Sequence, residues 1–138
     1  MKIYFCGSIR GGRENKEVYC KMINHMKNYG KVLTEEVGDD ALIELKDKEL
    51  SNTDIYERDM IWLVDSDIAI AEVSTPSLGV GYELRFIEES KKRHLLLYGN
   101  NSERRLSAMI SGNGFFNIKT YKSLEEALGY IDDFMKGL

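Results

Sequence analysis

Ile68-Ala69-Ile70-Ala71-Glu72-Val73-Ser74-Thr75-Pro76-Ser77-Leu78-Gly79-Val80-Gly81-Tyr82-Glu83-Leu84 is the stretch from which the fold can be read. Its first six residues are an apolar run with little alternation, which predicts a strand buried on both faces at the centre of a sheet. The chain's only proline and two glycines follow, and a helix is expected over 82–92. Glycine is a poor helix former, so two of them where a helix starts imply that something approaches the backbone closely. One turn further in stands a carboxylate, Glu83. A strand, a turn rich in hydroxyls and glycine, and a carboxylate on the emerging helix combine an anion-binding helix terminus with a candidate nucleophile.

Outward from this unit, strands and helices alternate. Strands are expected over 2–6, 31–34, 94–98 and 115–121, besides the central one over 68–73. Helices are expected over 14–29, 53–64, 102–110 and 123–135, and the polar segment 38–50 reads as loop with some helix. The alternation predicts an α/β three-layer sandwich: a five-stranded parallel sheet, Rossmann-like or flavodoxin-like, with helices on both faces and right-handed crossovers. The 138 residues suit one domain over 1–138. Such folds bind ligands at the carboxyl ends of their strands. The loops after Cys6 and after Val73 both leave such ends.

The bulk chemistry narrows the partners. A net charge of -4 disfavours a nucleic-acid polymer, which calls for a basic surface. No apolar run approaches the ~20 residues of a membrane span, so no membrane partner is expected. No signal peptide precedes the first strand, and the expected location is cytoplasmic, or nuclear in a eukaryote. Cys6 and Cys20 read as reduced core thiols, and His25 and His94 as structural, so no metal site is expected.

Four constellations carry possible chemistry. Gly7-Ser8-Ile9-Arg10-Gly11-Gly12 offers amides, a hydroxyl and a guanidinium at a strand end, all suited to a phosphate. Arg13-Glu14 follow where a Walker A loop needs Lys-Ser/Thr, and Gly-x-Gly-x-x-Gly is absent. In the second, Ser77 can cap the helix. Val80 stands where a capping box needs an acid, so Glu83 is no cap partner. Glu83 instead borders the apolar stripe of Val80, Leu84 and Ile87, where it is expected to stay ionised and fairly dry near a positive helix end. In the third, Asp59 flanks the apolar side of a helix and can act as a second carboxylate. On spacing alone, the solvated face supplied by Glu57 and Arg58 is the better reading. In the fourth, Ser107 can reach a phosphate, though Arg104 to Ile110 also reads as an ordinary surface helix.

The segments Tyr4–Glu14, Tyr29–Glu35, Asp67–Val73, Pro76–Leu84 and Leu106–Ile110 together resemble the nucleoside 2-deoxyribosyltransferase superfamily, and run in order through nearly the whole chain. The resemblance implies a Rossmann-like homodimer that hydrolyses the N-glycosidic bond of 2'-deoxynucleoside 5'-monophosphates without metal or organic cofactor. It makes Glu83 the group that attacks the sugar, Asp59 a catalytic partner and Tyr4 a neighbour of the reacting carboxylate. Ser8, Arg10, Ser77 and Gly79 become phosphate-side groups, with Gly7, Ile9 and Gly11 in the same loop. Ser107, with Met109 beside it, is implied to complete the other subunit's site. One departure is Glu36, where the mammalian relative has histidine. The rival readings are a deoxyribosyltransferase, a glycosidase of ribonucleotides such as CMP, and a non-catalytic nucleotide-binding module.

Overall fold

The computed structural model describes residues 1–100 and 103–138. β1 (Lys2–Cys6) and β3 (Ile68–Glu72) pair at the centre of the sheet, where every residue but Lys2 is buried. β2 (Lys31–Val32) flanks β1, while β4 (Arg93–Gly99) and β5 (Ile118–Tyr121) extend from β3. The order is β2-β1-β3-β4-β5 with every pairing parallel. The chain therefore winds one way from β1 and the other way from β3, and the switch point opens between their carboxyl ends.

Strand pleating assigns the two cores. Ile3, Phe5, Ile68 and Ile70 face α1 (Lys16–Met26) and α6 (Leu124–Lys136), through Tyr19, Met22, Met26 and Ile131. Tyr4, Cys6, Ala69 and Ala71 face Leu63 of α3 (Asn52–Asp65) and Val80, Leu84 and Ile87 of α4 (Leu78–Glu89). Alternation thus turns Tyr4 and Cys6 toward the same two helices that carry Asp59 and Glu83. Among the described residues no helix is long and apolar enough to cross a membrane.

Several boundaries differ from expectation for identifiable reasons. The helix expected over 82–92 begins at Leu78, because Ser77 Oγ accepts from the amide of Val80 at 3.3 Å. Both Gly79 and Gly81 therefore lie in its first turns. The strand expected over 31–34 ends at Val32, since Thr34 Oγ1 accepts from the Phe5 amide at 2.9 Å and donates to its carbonyl at 2.7 Å. The segment 38–50 is more helical than expected. A 3₁₀ turn over Glu35–Gly38 leads into α2 (Asp40–Asp47), which Asp39 caps by accepting from Ala41.

The helix expected over 102–110 shrinks to α5 (Ala108–Ser111), and Ser102 lies outside the described residues. β5 starts three residues late because Phe115 and Phe116 pack on the ring of His94, at 4.7 and 5.5 Å between centroids. The His94 ring accepts from the Asn117 amide, which makes it structural, as expected.

Gly38 seats the 3₁₀ turn on α1. A Cβ there would lie 2.8 Å from Cys20 Cα and 3.0 Å from its nitrogen, and helix backbone does not move aside cheaply. Gly38→Ala is expected to lower stability by about 1–3 kcal/mol, read as an earlier urea midpoint. An unchanged midpoint would mean that the turn shifts freely.

Candidate active site

The switch point brings together side chains that lie far apart in the chain. Tyr4, on β1, donates its hydroxyl to Glu83 Oε1 of α4 at 2.6 Å. The Cys6 thiol, two residues along the same strand, lies against the same carboxylate. Burial pushes the pKa of Glu83 up to about 7, and the negative charge of Asp59 adds to the rise. The hydrogen bonds from Tyr4 and Cys6 oppose it. The expectation of a carboxylate held ionised by the helix end is thereby corrected. Glu83 lies beyond the first turn of α4, where the helix field has faded, and desolvation outweighs it. Tyr4 is itself pushed up by burial and by the charge of Glu83, so it remains a hydroxyl donor.

Glu83 and Asp59 line a cavity of about 450 Å³, within the range typical of small-molecule sites. Its far wall is the loop after β1, with Gly7, Ile9, Arg10 and Gly11, and its rim is Ser77, Leu78 and Gly79 at the start of α4. A Cβ on Gly11 would come 2.6 Å from the carbonyl oxygen of Pro76 and 2.9 Å from Ser8 Oγ. Glycine is what lets the two loops meet there. Gly79 is crowded by nothing nearer than Ser77 Oγ at 3.8 Å, so the backbone at the helix start is open to a ligand. The guanidinium of Arg10 is exposed at this cavity and donates to Asn52 at 3.0 Å.

The other expected site residues are placed differently. Tyr4 borders an adjoining hollow that shares Asp59, Gly79 and Glu83 with the main cavity. Ser8 is completely buried and its Oγ has no hydrogen-bond partner among the described residues, so it lies beneath the loop rather than on the cavity wall. Ser107 caps α5 by accepting from the Met109 amide. Both residues line a separate hollow of about 610 Å³, which meets the main cavity at Gly11, Ser77, Leu78 and Val80.

Several members of the site were not anticipated. Arg13 anchors the first loop, donating to the carbonyls of Ser8 at 3.0 Å and Val37 at 2.8 Å. Cys6 is a free, buried thiol of the core, as expected, and its place two residues after Tyr4 also puts it on the face that meets Glu83. Arg58, read as part of a solvated face, is turned inward: its Nε donates to Asp59 Oδ1 at 2.9 Å and its Nη1 to Asp47 at 2.6 Å. The one sequence signal for this is Trp62, four residues on, whose ring centroid lies 4.7 Å from the guanidinium carbon. Asp47 lines the cavity from a segment whose weak periodicity gave no signal.

Paired carboxylates at the switch point of a parallel α/β sheet, one of them hydrogen-bonded and dry, suit attack on a glycosidic carbon beside a phosphate cradle. The comparisons narrow this class. A family model described as nucleoside 2-deoxyribosyltransferase matches residues 3–133. The chain is 44% identical over 143 residues to the 5-hydroxymethyl-dUMP N-hydrolase of Esox lucius, covering 100% of this chain and 98% of that protein. It is 48% identical over 113 residues to the 5-hydroxymethyl-dUMP N-hydrolase of Tetraodon nigroviridis, covering 81% and 80%. The structure of Clostridium botulinum CMP N-glycosidase superposes with a TM-score of 0.69 over 97% of this chain and 99% of that one. At 15% sequence identity this is a likeness of fold. The chain belongs to the nucleoside 2-deoxyribosyltransferase family.

The raised pKa of Glu83 has a thermodynamic consequence. The native state holds this proton up to about pH 7, whereas the unfolded carboxyl releases it near its ordinary value of 4.5. More protons are then bound in the native state, so this group's contribution makes stability fall as pH rises from about 4.5 to about 7. Glu83→Gln is expected to remove that part of the slope, measured by urea unfolding across this range. Parallel profiles for the two proteins would show that Glu83 is already ionised at the lower pH.

Proposed function

We propose that the protein hydrolyses the N-glycosidic bond of 2'-deoxynucleoside 5'-monophosphates, giving the free base and 2-deoxyribose 5-phosphate. The observation that carries this reading is the Tyr4–Glu83 contact at the edge of a cavity whose rim is a glycine-containing helix start. The named activity of the relatives, on 5-hydroxymethyl-dUMP, falls within the same substrate class.

The residues divide the reaction between them. The first amides of α4 have no intrahelical acceptor and the helix end carries partial positive charge, so the phosphate docks there with Arg10 and Ser77. That remote binding energy holds C1' against Glu83. With Oε1 occupied by Tyr4, the second oxygen of Glu83 attacks C1'. The bond from C1' to the base nitrogen breaks as the new C–O bond forms, and its electron pair leaves with the base. Asp59 supports that departure by moving a proton toward the base. Water then attacks C1' of the glycosyl ester, its proton is taken up at the site, and Glu83 is released as a carboxylate. A carboxyl group with a pKa near 7 is a stronger nucleophile than an ordinary one once ionised.

The same reading includes a homodimer. Leu78 and Met109 are 97% and 81% exposed on either side of the hollow that carries Ser107. Large apolar side chains so exposed beside a polar site suit a surface that a second copy covers. The partner's Ser107 then reaches the phosphate from across the interface. A phosphate pocket also favours hydrolysis of nucleotides over base exchange between nucleosides, whose free 5'-hydroxyl leaves the pocket unfilled.

Chromatography of each deoxy- and ribonucleoside monophosphate, 5-hydroxymethyl-dUMP included, is expected to show base release from the deoxy series. Glu83→Ala should reduce turnover by at least about a thousandfold while leaving a folded protein; retained turnover would remove Glu83 as nucleophile. Ser107→Ala should raise KM by about tenfold, in line with the loss of one hydrogen bond to a charged group. An unchanged KM, or a monomer at assay concentration by sedimentation, would exclude the shared site.

A further inference from the structure

The helix that carries Asp59 also carries a guanidinium that no step of the proposed reaction uses. Arg58 borders the main cavity, but its guanidinium is tied to fixed groups on the side away from it. Its Nε and Nη2 both lie 2.9 Å from Asp59 Oδ1. Its Nη1 lies 2.6 Å from Asp47 Oδ1, and Nη2 also lies 3.6 Å from Glu36 Oε1. Its guanidinium carbon lies over the Trp62 ring, 4.7 Å from the centroid. A guanidinium has five N–H donors in a rigid fork. Two of them are donated in hydrogen bonds, from Nε to Asp59 and from Nη1 to Asp47, while Nη2 is held by ion pairs with Asp59 and Glu36.

The anchors come from different elements. Asp47 ends α2, and Glu36 lies in the 3₁₀ turn after β2. Glu36 is 2% exposed and is held from its other side by Lys46 at 3.4 Å. An exposed ion pair contributes little, but a fork held by three carboxylates and one ring loses its rotational freedom once for all of its bonds. Both contacts with Asp59 are to Oδ1, which leaves Oδ2 as the oxygen available to a ligand in the cavity that Asp59 lines.

We propose that Arg58 is a positioning residue for the proposed hydrolysis: clamped by Glu36 and Asp47 and lying over the Trp62 ring, it fixes the rotamer of Asp59 so that one carboxylate oxygen faces the bond that breaks. This rests on the hydrolase reading above. It also explains how α2 and the 3₁₀ turn, far from Glu83 in sequence, take part in the site. Burial lifts the pKa of Asp59 while Arg58 pulls it down, so removing Arg58 takes away the opposing influence. The other ionisable groups about Asp59 are Asp47 on α2, Glu83 and Tyr82 on α4, Tyr56 on its own helix, Tyr4 and Cys6 on β1 and Arg10 in the loop after it, with Glu36 and Lys46 beyond the guanidinium.

The test uses Arg58→Gln, Arg58→Lys, Asp59→Asn and the double variant Arg58→Gln/Asp59→Asn, with carboxyl ¹³C NMR titration of Asp59 wherever it is present. Arg58→Gln is expected to lower kcat by about 100-fold with KM changed by less than about threefold. Arg58→Lys, which keeps the charge but not the fork, should recover part of that loss. In the Asp59→Asn background, Arg58→Gln should cost nothing further, because the two residues act as one unit. The Asp59 carboxyl should titrate higher in Arg58→Gln than in the wild type. A merely structural arginine would lower the melting temperature, add its full cost on top of Asp59→Asn, and leave the Asp59 titration in place; that pattern overturns the proposal. If the wild type released base from no nucleotide, the hydrolase reading would fall. The titration alone would then decide whether Arg58 sets Asp59, an unmoved curve overturning it.

Discussion

The site depends on one hydrogen bond, from Tyr4 to Glu83, that joins β1 to the helix leaving its neighbour β3. A buried carboxylate with no donor would cost several kcal/mol or give up its charge. Tyr4 supplies that donor from a position where it cannot itself ionise. The bond therefore does two things. It offsets part of the cost of burying the ionised form of Glu83, and it orients the carboxylate by committing Oε1. The neighbouring elements serve this pair. β1 must be fully buried so that Tyr4 is rigid, and α4 must start early enough for Glu83 to reach back over the strand.

That early start connects the two halves of the chemistry. Ser77 begins the helix four residues before the point that helix propensity alone suggests. The result places the glycine-bearing turn on the wall of the same cavity as Glu83. In the proposed reaction, phosphate recognition and nucleophilic attack both fall to α4, its first turn for the one and its second for the other. The loop after β1 closes on this rim because Gly11 tolerates the Pro76 carbonyl at a distance no side chain allows.

Much of this was legible in the sequence, and the limits have physical causes. The parallel sheet covered on both faces follows from alternating strands and helices, and the central strand from the apolar run 68–73. Glu83 was found because two glycines and no capping partner left it unexplained. Its protonation was misjudged, since burial by β1 and α3 is a tertiary effect that local spacing does not record. Ser8 was expected at the phosphate because of its loop, but the loop folds over it. Arg58 looked solvent-facing because helical periodicity places charges without knowing what packs on them. Its partners Glu36 and Asp47 come from the segment with the weakest pattern in the chain, so no sequence rule joined them to Asp59.

The two carboxylates are set by opposite means. Glu83 is surrounded by neutral donors, a phenol and a thiol, and burial dominates its ionisation. Asp59, less enclosed, is held by a fixed cation that is in turn held by other acids. Two acids that line one cavity do different work only in different environments, and here the charge of Asp59 already raises the pKa of Glu83. Separating their environments separates their roles. A dry carboxylate with a pKa near 7 suits a group that must both form and release a bond to carbon. A pinned carboxylate beside a guanidinium suits one that must stay in place while the base departs. The division falls between α4 and α3, the two helices that pack on the face of the sheet carrying Tyr4.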